Sequence, residues 1–354
     1  MEHIGIDLGA SHSHIAILSE AGKQLRTTRI RTAQLPSWLA ARDSSRVVME
    51  ACTQSPAVAR AGKDAGHEVT VVPGHLVRAI GVGRRGIKTD ERDAIVLVEA
   101  SHRIPELPGV HLRSVHSSEI RSLLNARRGL MDARKAFATS CKSFLRGRLQ
   151  SIKGRATTKH FSKALREIAL EHVEGLPSGI DKLLTAFDNL SDQIAELDGE
   201  LEAVMENAAV CKNLVTMPGI GPQISLSFMS QIDDPHRFGT ADQVGSYLTL
   251  TPGEATTGGK VVRTGTLRAG PKHLKALFVQ GAWSMWRTRP NDPLVLWARA
   301  LAEKRGKRIA IVALARKMAV ILWSMWKHNV PYDAKRASSF RLSSEEKKGQ
   351  SMTV

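Results

Sequence analysis

The first hundred residues place a hairpin where most α/β folds place a helix, and this order limits the folds available to the chain. Apolar alternation predicts strands and helical periodicity predicts helices in the following order: strands at 3–7, 12–18 and 25–30, a helix at 35–42, a strand at 46–50, a helix at 55–65 and a strand at 68–72. A dinucleotide-binding fold needs a helix directly after its first strand. Three meandering strands followed by strand-helix-strand units instead predict an α/β ribonuclease-H-like (RuvC-like) domain over residues 1–105.

Four acids occupy positions where such a sheet can gather carboxylates. Asp7 lies inside an apolar strand, Glu50 ends another, and Asp90 and Asp93 lie three residues apart at a predicted helix start. Acids in apolar strands are costly unless they are paired or bind metal. Carboxylate oxygens suit Mg²⁺, and two such ions stabilise both the attacking and the leaving oxygen of a phosphodiester. An alternative for the helix pair is structural, with Asp90 as N-cap and Asp93 as a first-turn charge.

Two glycine motifs in this region resemble nucleotide-binding sequences. Residues 5–9, Gly-Ile-Asp-Leu-Gly, resemble the first phosphate motif of sugar-kinase and actin-type ATPases, but that class needs a second phosphate loop that this sequence lacks. Residues 81–86 match G-x-G-x-x-G without a preceding strand, so the motif is weak. We interpret it as a basic loop in which Arg84, Arg85 and Lys88 contact phosphates beside the acids.

Residues 115–208 have the periodicity of long helices. Apolar residues alternate steps of three and four along the second half of this region: Ile180, Leu183, Phe187, Leu190, Ile194, Leu197, Leu201 and Val204. This a/d seam predicts an antiparallel helical hairpin or a dimerising coiled coil. Few apolar residues and four cations predict a basic connector at about 150–165.

Residues 212–333 predict a third, mostly helical domain, and the polar residues 334–354 predict a disordered tail. The domain opens with Pro218-Gly219-Ile220-Gly221, which is similar to the turn of helix-hairpin-helix modules. Backbone N–H groups at Gly219 and Gly221 can bind DNA phosphate there. A Pro-Gly turn between helices needs no function, so a structural role remains open.

A cationic segment follows within this domain. Between Ala255 and Asn291 there are seven Lys or Arg residues and no acid; we expect five of them to contact nucleic acid: Lys260, Arg263, Arg268, Lys272 and Lys275. A solvated basic loop is the alternative. Five tryptophans also concentrate after residue 280, and their helical spacing favours core packing over base stacking.

The overall charge favours a polyanionic partner. The chain of 354 residues has a formal net charge of +17, which points to nucleic acid before a membrane. The most apolar stretch, 309–326, contains Arg316 and Lys317, so it predicts a buried helix and no membrane span. Three separated cysteines and a strand-like N-terminus without signal-peptide features predict a reduced, cytoplasmic protein.

The ordered combination of these motifs resembles a known family, the DEDD transposases of bridge-RNA-guided insertion sequences, which also includes Piv-type DNA invertases. The resemblance covers about nine-tenths of the chain. It extends from Gly5 and Glu50 through the segment 88–93 and the helical arm, then over 218–221, 250–252 and 258–260, to residues 330–333.

This resemblance implies a composite active site. Asp7, Glu50, Asp90 and Asp93 would hold Mg²⁺, and a hydroxyl of the C-terminal domain would attack DNA to give a covalent phospho-enzyme. The family's members work on DNA as oligomers with a structured guide RNA, so a homodimer or homotetramer is expected. Whether the acids and the hydroxyl meet within one subunit or across two stays open.

One position departs from the family's pattern. The family's nucleophilic serine corresponds here to Thr257, with Thr256 as the neighbour if the register shifts by one. A threonine hydroxyl is secondary and β-branched, so it is more crowded than serine. We favour an active threonine variant because the four acids and the basic segment are intact. The alternatives are a Mg²⁺-dependent Holliday-junction-type nuclease and a catalytically silent nucleic-acid-binding relative.

Overall fold

The computed structural model describes residues 1–77, 89–152, 160–172, 175–257, 260–266 and 270–338, with the backbone alone at 172, 254–257, 260–266 and 337–338. The chain divides into two units, Met1–Arg113 and Ser114–Val354. The predicted boundary between a helical arm and a C-terminal domain falls inside the second unit, and this finer division stays a prediction.

The first unit contains a five-stranded mixed sheet with the order β3-β2-β1-β4-β5. Its strands are β1 (His3–Asp7), β2 (His12–Leu18), β3 (Gln24–Arg31), β4 (Arg46–Glu50) and β5 (Glu68–Val72). β1, β2 and β3 are antiparallel neighbours, whereas β4 pairs parallel with both β1 and β5. The predicted hairpin and the strand-helix-strand order are both present, so the α/β class of this unit is confirmed, and its ribonuclease-H-like (RuvC-like) identity stays a prediction.

Helices cover both faces of this sheet. They are α1 (Leu35–Ala40), α2 (Ser55–Asp64), α3 (Gly74–Val77) and α4 (Asp90–Arg103). One face packs Ile6 and Met49 against Leu35 and Val58, from α1 and α2. Alternate strand residues face α4 on the other side of the sheet, because side chains alternate along each strand.

Helix α4 lies unusually close to β1. A Cβ atom on Gly5 would lie 2.6 Å from the backbone nitrogen of Val98 and would overlap the carbonyl oxygen of Ala94. Near the other end of the helix, Ser101 Oγ lies 2.9 Å from His3 Nδ1, at the start of β1. The helix therefore runs antiparallel to β1, and its N-terminus lies towards the strand end that contains Asp7.

The second unit is mainly helical. Its helices are α5 (Val115–Arg146), α6 (Phe161–His172), α7 (Ser178–Asn207), α8 (Ala209–Leu214), α9 (Pro222–Ile232), α10 (Ala241–Tyr247), α11 (Lys272–Thr288), α12 (Pro293–Arg305), α13 (Lys307–His328) and α14 (Ala334–Ser338). Strands β6 (Pro252–Thr257) and β7 (Lys260–Thr266) form a separate antiparallel ribbon between α10 and α11.

Helices α5 and α7 form an antiparallel pair. Arg127 of α5 makes a bidentate ion pair with Asp198 of α7, with Nη2 at 3.1 Å from Oδ2, and Arg134 reaches Ser191 one heptad away in the opposite direction. Phe187 is buried in the cluster that joins this pair to α6. The expected antiparallel hairpin is thus present, and coiled-coil geometry stays a prediction.

Helix α13 is the central helix of a large apolar core. Phe228, Phe278 and Met318 are fully buried in this core, which joins α9, α11, α12 and α13. The length and hydropathy of α13 would suffice for a membrane span, but 67% of its apolar window is buried within the protein. It is a core helix, as its internal Arg316 and Lys317 predict.

Three local expectations were wrong. Helix α6 begins at Phe161, inside the predicted basic connector, and buries Phe161 and Leu165. The cationic loop after Pro252 is a two-stranded ribbon instead. Residues 334–338 form a short helix, and the remainder of the predicted tail lies outside the described residues.

Substituting Gly5 with alanine tests the close approach of α4 to the sheet. We expect Gly5→Ala to lower the free energy of unfolding by about 3 kcal/mol, since the new methyl group overlaps helix backbone and not a movable side chain. Gly199→Ala is the control, because that helical glycine has open space around it and alanine there should stabilise by roughly 0.5–1 kcal/mol. Urea unfolding followed by circular dichroism measures both. Equal stability of Gly5→Ala and the wild type would contradict the contact.

Candidate active site

Asp7 and Glu50 end two neighbouring parallel strands at the centre of the sheet. The register pairs Gly5 with Val48 and Ile6 with Met49, so Asp7 and Glu50 come next to each other one step further along. Paired strands lie about 4.8 Å apart, so the backbones of the two acids are close neighbours at these strand ends. Both acids are half-buried.

Both carboxylates point to the face of the sheet that α4 covers. Gly5, two residues before Asp7, contacts α4 directly. Val48, two residues before Glu50, packs in a cluster with Leu97 of α4. Since residues two apart on a strand share a face, Asp7 and Glu50 both face the helix.

The first turn of α4 adds two acids to the same edge. Asp93 is buried, with 5% exposure, and lies on the helix face that packs on the sheet, while Asp90 is exposed one turn earlier. The antiparallel course of α4 along β1 directs both residues towards the end of the strand where Asp7 lies. The structure thus brings the four predicted acids to one edge of one sheet.

The helix cap is Thr89 and not Asp90. The Thr89 side chain accepts a hydrogen bond from the backbone N–H of Arg92, and Asp90 is the first residue of the helix proper. The structural alternative for Asp90 was therefore wrong. Threonine is a preferred N-cap residue and acids are favoured in the first helical turn, so residues 89–93 carry the signal of this cap in the sequence itself.

Gly74 makes room for the Glu50 carboxylate. A Cβ atom at Gly74 would overlap Glu50 Oε1 and lie 3.3 Å from Cδ, so only glycine leaves this side chain in its place. Gly74 begins the short helix after β5, at the same edge of the sheet as Glu50. Sequence reasoning did not select Gly74, since its role depends on a contact with a residue far away in the chain.

The four carboxylates have the right chemistry for a hard divalent cation, but their side chains do not surround one common position. Every donor is a carboxylate oxygen, which is the ligand type that Mg²⁺ prefers. Within the described parts of the chain, no three His, Cys, Asp or Glu side chains come close enough together to hold a metal ion. The acids therefore share an edge of the sheet without forming a closed cage.

The β6–β7 ribbon places Thr257 next to its turn. Thr257 pairs with Lys260 as the last described pair, and the two glycines between them lie outside the described residues. Thr256 and Arg263 lie further along the two strands, and the structure describes only the backbone of these residues. Of the remaining predicted phosphate-binding residues, Arg84, Arg85, Lys88 and Arg268 lie outside the described ranges.

Lys272 and Lys275 lie in the first turn of α11, soon after the ribbon. Lys272 is exposed, whereas Lys275 is half-buried and burial lowers the pKa of its ammonium group. His273, between them, has a pKa lowered by burial and then by the nearby Arg128 of α5. The start of α11 at His273 therefore lies close to the cationic side chain of Arg128 on α5.

The two predicted phosphate-binding glycines have different surroundings. Gly219 has φ of +84° and packs on α11, where a Cβ atom would overlap the Gly281 carbonyl; a Cβ on Gly281 would in turn lie 2.7 Å from the Gly219 oxygen. Gly221 is the N-cap of α9 and has no atom near its missing Cβ. Gly219 thus has a structural role, while Gly221 borders open space at a helix N-terminus.

Comparisons with known proteins match this arrangement to one family. A model of a DEDD transposase of the IS110 type matches residues 4–149, and a model described as transposase IS116/IS110/IS902 family matches residues 211–294. The chain belongs to the IS110 family of DEDD transposases. The first match includes all four acids, and the second includes the β6–β7 ribbon.

Three relatives extend the similarity to nearly the whole chain. The transposase for insertion sequence element IS1111A of Coxiella burnetii is 28% identical over 93% of this chain and 90% of the relative. A probable family 20 transposase of Pseudomonas aeruginosa is 27% identical over 94% and 98%, and the IS1328 transposase of Yersinia enterocolitica is 28% identical over 90% and 95%. The protein is thus a DNA transposase, and its family indicates a divalent metal requirement.

The glycine pair gives a stability prediction for the transposase. We expect Gly219→Ala to destabilise the second unit by about 2–4 kcal/mol, because alanine is strained at this φ and overlaps Gly281. Gly221→Ala should cost at most about 1 kcal/mol, since only the cap is affected. Thermal unfolding of the two variants measures the difference. A larger loss in Gly221→Ala would mean that the two roles are reversed.

Proposed function

We propose that this transposase cuts and rejoins DNA through Mg²⁺-dependent attack by the hydroxyl of Thr257, with a structured RNA as guide. The observation that supports this most is the parallel register of β1 and β4, which carries Asp7 and Glu50 to the same ends of neighbouring strands, towards which the acidic first turn of α4 is directed. The geometry supports a carboxylate-based phosphoryl-transfer site, and the family places the reaction on DNA.

Asp7, Glu50, Asp90 and Asp93 are the residues that would hold Mg²⁺. When bound by these carboxylates, Mg²⁺ would supply charge neutralisation at the phosphate and at the attacking and leaving oxygens. Gly74 keeps the Glu50 side chain in place, and Gly5 lets α4 approach closely enough to bring Asp93 to the sheet. These two glycines are therefore positioning residues for the acids.

Thr257 supplies the nucleophile in this proposal. Its Oγ forms a bond to phosphorus, one P–O ester bond of the DNA backbone breaks, and the departing oxygen takes up a proton. The threonine hydroxyl gives its own proton to a carboxylate or to water. Supporting this role, Thr257 lies beside the turn of a ribbon, and cationic strand residues follow it directly.

The remaining partners follow from charge and helix packing. A net charge of +17 favours binding of both DNA and a guide RNA. Five of the eight residues of the α7 apolar seam are only half-buried, namely Ile180, Leu183, Leu190, Leu197 and Val204, which supports assembly into a homodimer or homotetramer. Since the proposed partners are DNA and RNA, such a protein acts in the cytoplasm.

Detection of a covalent intermediate tests the nucleophile. With Mg²⁺, the co-purifying RNA and labelled DNA that contains the element's junction, we expect a denaturation-resistant protein–DNA band attached at Thr257. Thr257→Ser should keep or increase the band because serine is less crowded, and Thr257→Ala should abolish it. Mass spectrometry identifies the attached residue.

Two results would contradict the threonine nucleophile. Normal recombination by Thr257→Ala would exclude Thr257. DNA cutting without any adduct would instead favour a Mg²⁺-dependent junction nuclease in which water attacks, and metal binding without cutting would favour a silent nucleic-acid-binding relative.

Isosteric substitutions test the acids. Asp7→Asn and Glu50→Gln should each lower recombination by roughly 10³-fold or more, because a neutral amide loses the charge that holds the metal. Glu68→Gln is the control: Glu68 starts β5 at the opposite edge of the sheet, where it pairs with Arg46. Its activity should match the wild type. Equal losses in all three variants would assign the effect to the stability of the sheet.

A further inference from the structure

Two tryptophans and two cations form a cluster on the second unit that the acids and the ribbon do not include. Trp283 and Trp286 lie three residues apart on one face of α11, with ring centroids 6.5 Å apart and planes at 63°. Lys307 Nζ lies 5.2 Å and 5.5 Å from the two ring centroids, and the Arg299 guanidinium lies 5.4 Å from that of Trp286. We name these four residues the tryptophan cluster.

The tryptophan cluster lies at the edge of the core and faces water. Both indole rings are half-buried against the core, while Lys307 and Arg299 are exposed. Two other tryptophans of the same unit have partners within the protein. Trp323 donates its Nε1–H to the Pro235 carbonyl at 2.8 Å, and the buried Lys317 lies over the ring of Trp297. Trp283 and Trp286 also pack against the core, as expected, but each of these half-buried rings leaves part of its surface open to solvent.

The cations of the cluster lack carboxylate partners. Among the described residues, neither Arg299 nor Lys307 forms an ion pair. Seven cations and two acids lie between residues 287 and 308; the cations are Arg287, Arg289, Arg299, Lys304, Arg305, Lys307 and Arg308. One of the two acids, Asp292, is already used as the α12 cap and as acceptor for the Tyr332 hydroxyl at 3.1 Å.

We propose that the tryptophan cluster binds an unpaired strand of DNA, with bases stacked on Trp283 and Trp286 and phosphates contacted by Lys307 and Arg299. Aromatic side chains flanked by cations are the combination that binds single strands without sequence preference, because every base has a π face and every linkage a charge. A duplex offers its phosphates but keeps its bases stacked inside, so the aromatic contribution requires an unpaired strand. We choose DNA as the origin of this unpaired strand because transposition releases single DNA strands when it cuts and rejoins them.

Equilibrium binding tests the proposal on the full chain. The assay follows fluorescence anisotropy of a labelled single strand of about 16 nucleotides in buffer with EDTA, at about 50 to 200 mM salt. Because metal is absent, the assay measures binding and is independent of cleavage and of the Thr257 proposal. Binding of the same sequence is also measured as duplex DNA and as single-stranded RNA.

The variants separate stacking from charge. Trp283→Leu and Trp286→Leu should each weaken single-strand binding about tenfold without changing its salt dependence. Lys307→Gln should weaken binding and make the slope of log K against log salt shallower by about 0.7, the contribution of one phosphate contact on a single strand. Since Lys307 is exposed, this variant folds even if the leucine variants do not.

Trp38→Leu is the matched control. Trp38 is a half-buried tryptophan of the first unit with the Arg42 guanidinium 3.9 Å from its ring centroid, so it has the same type of pair outside the cluster. It should bind single strands like the wild type. Unchanged affinity and slope in Lys307→Gln, or equal losses on duplex DNA in the tryptophan variants, would overturn the proposal. A loss confined to RNA would overturn the choice of DNA.

Discussion

The direct backbone contact between β1 and α4 is the constraint on which the candidate active site depends. Gly5 lacks a side chain at the point where the helix crosses the strand, so the helix lies against the sheet itself. Any side chain there would lift α4 and carry Asp93 away from the edge that contains Asp7 and Glu50. The site therefore depends on the missing Cβ atom of Gly5 as much as on the four carboxylates.

The two units contribute different chemistry. The first unit gathers negative charge at one edge of a sheet, which suits a cation. The second combines cationic helices with a ribbon that contains Thr257, which suits a polyanion. This division of charge suits a member of the IS110 family, because transposition needs both a site that activates a phosphodiester and surfaces that retain the DNA strands. The half-buried Arg316, paired with Asp242 at 2.8 Å, links the core helix to α10 just before the ribbon.

Local patterns in the sequence predicted most of the first unit, because its strands alternate cleanly and the hairpin turn is short. In two segments of the second unit, the amino-acid composition hid the secondary structure that formed. Helix α6 was missed because its apolar residues, such as Phe161, follow a run of cations, and the β6–β7 ribbon was missed because its glycines suggested a loop. The roles of Gly5 and Gly74 could not be predicted at all, since each depends on a contact with a distant segment. The acids were predicted by residue type, and their arrangement needed the parallel register of β1 and β4.

That parallel register also affects how the protein is made. Asp7 leaves the ribosome before Glu50, which can align with it only after the intervening hairpin has formed, and α4 completes the edge only after a further forty residues. Because β1 and β4 are not joined by a tight turn, nothing local aligns them, and a slip of one residue would turn Glu50 to the opposite face. A nascent chain on the ribosome therefore has scattered carboxylates and no assembled site. The four acids therefore come to one edge of the sheet only after residues 1–103 have left the ribosome and folded.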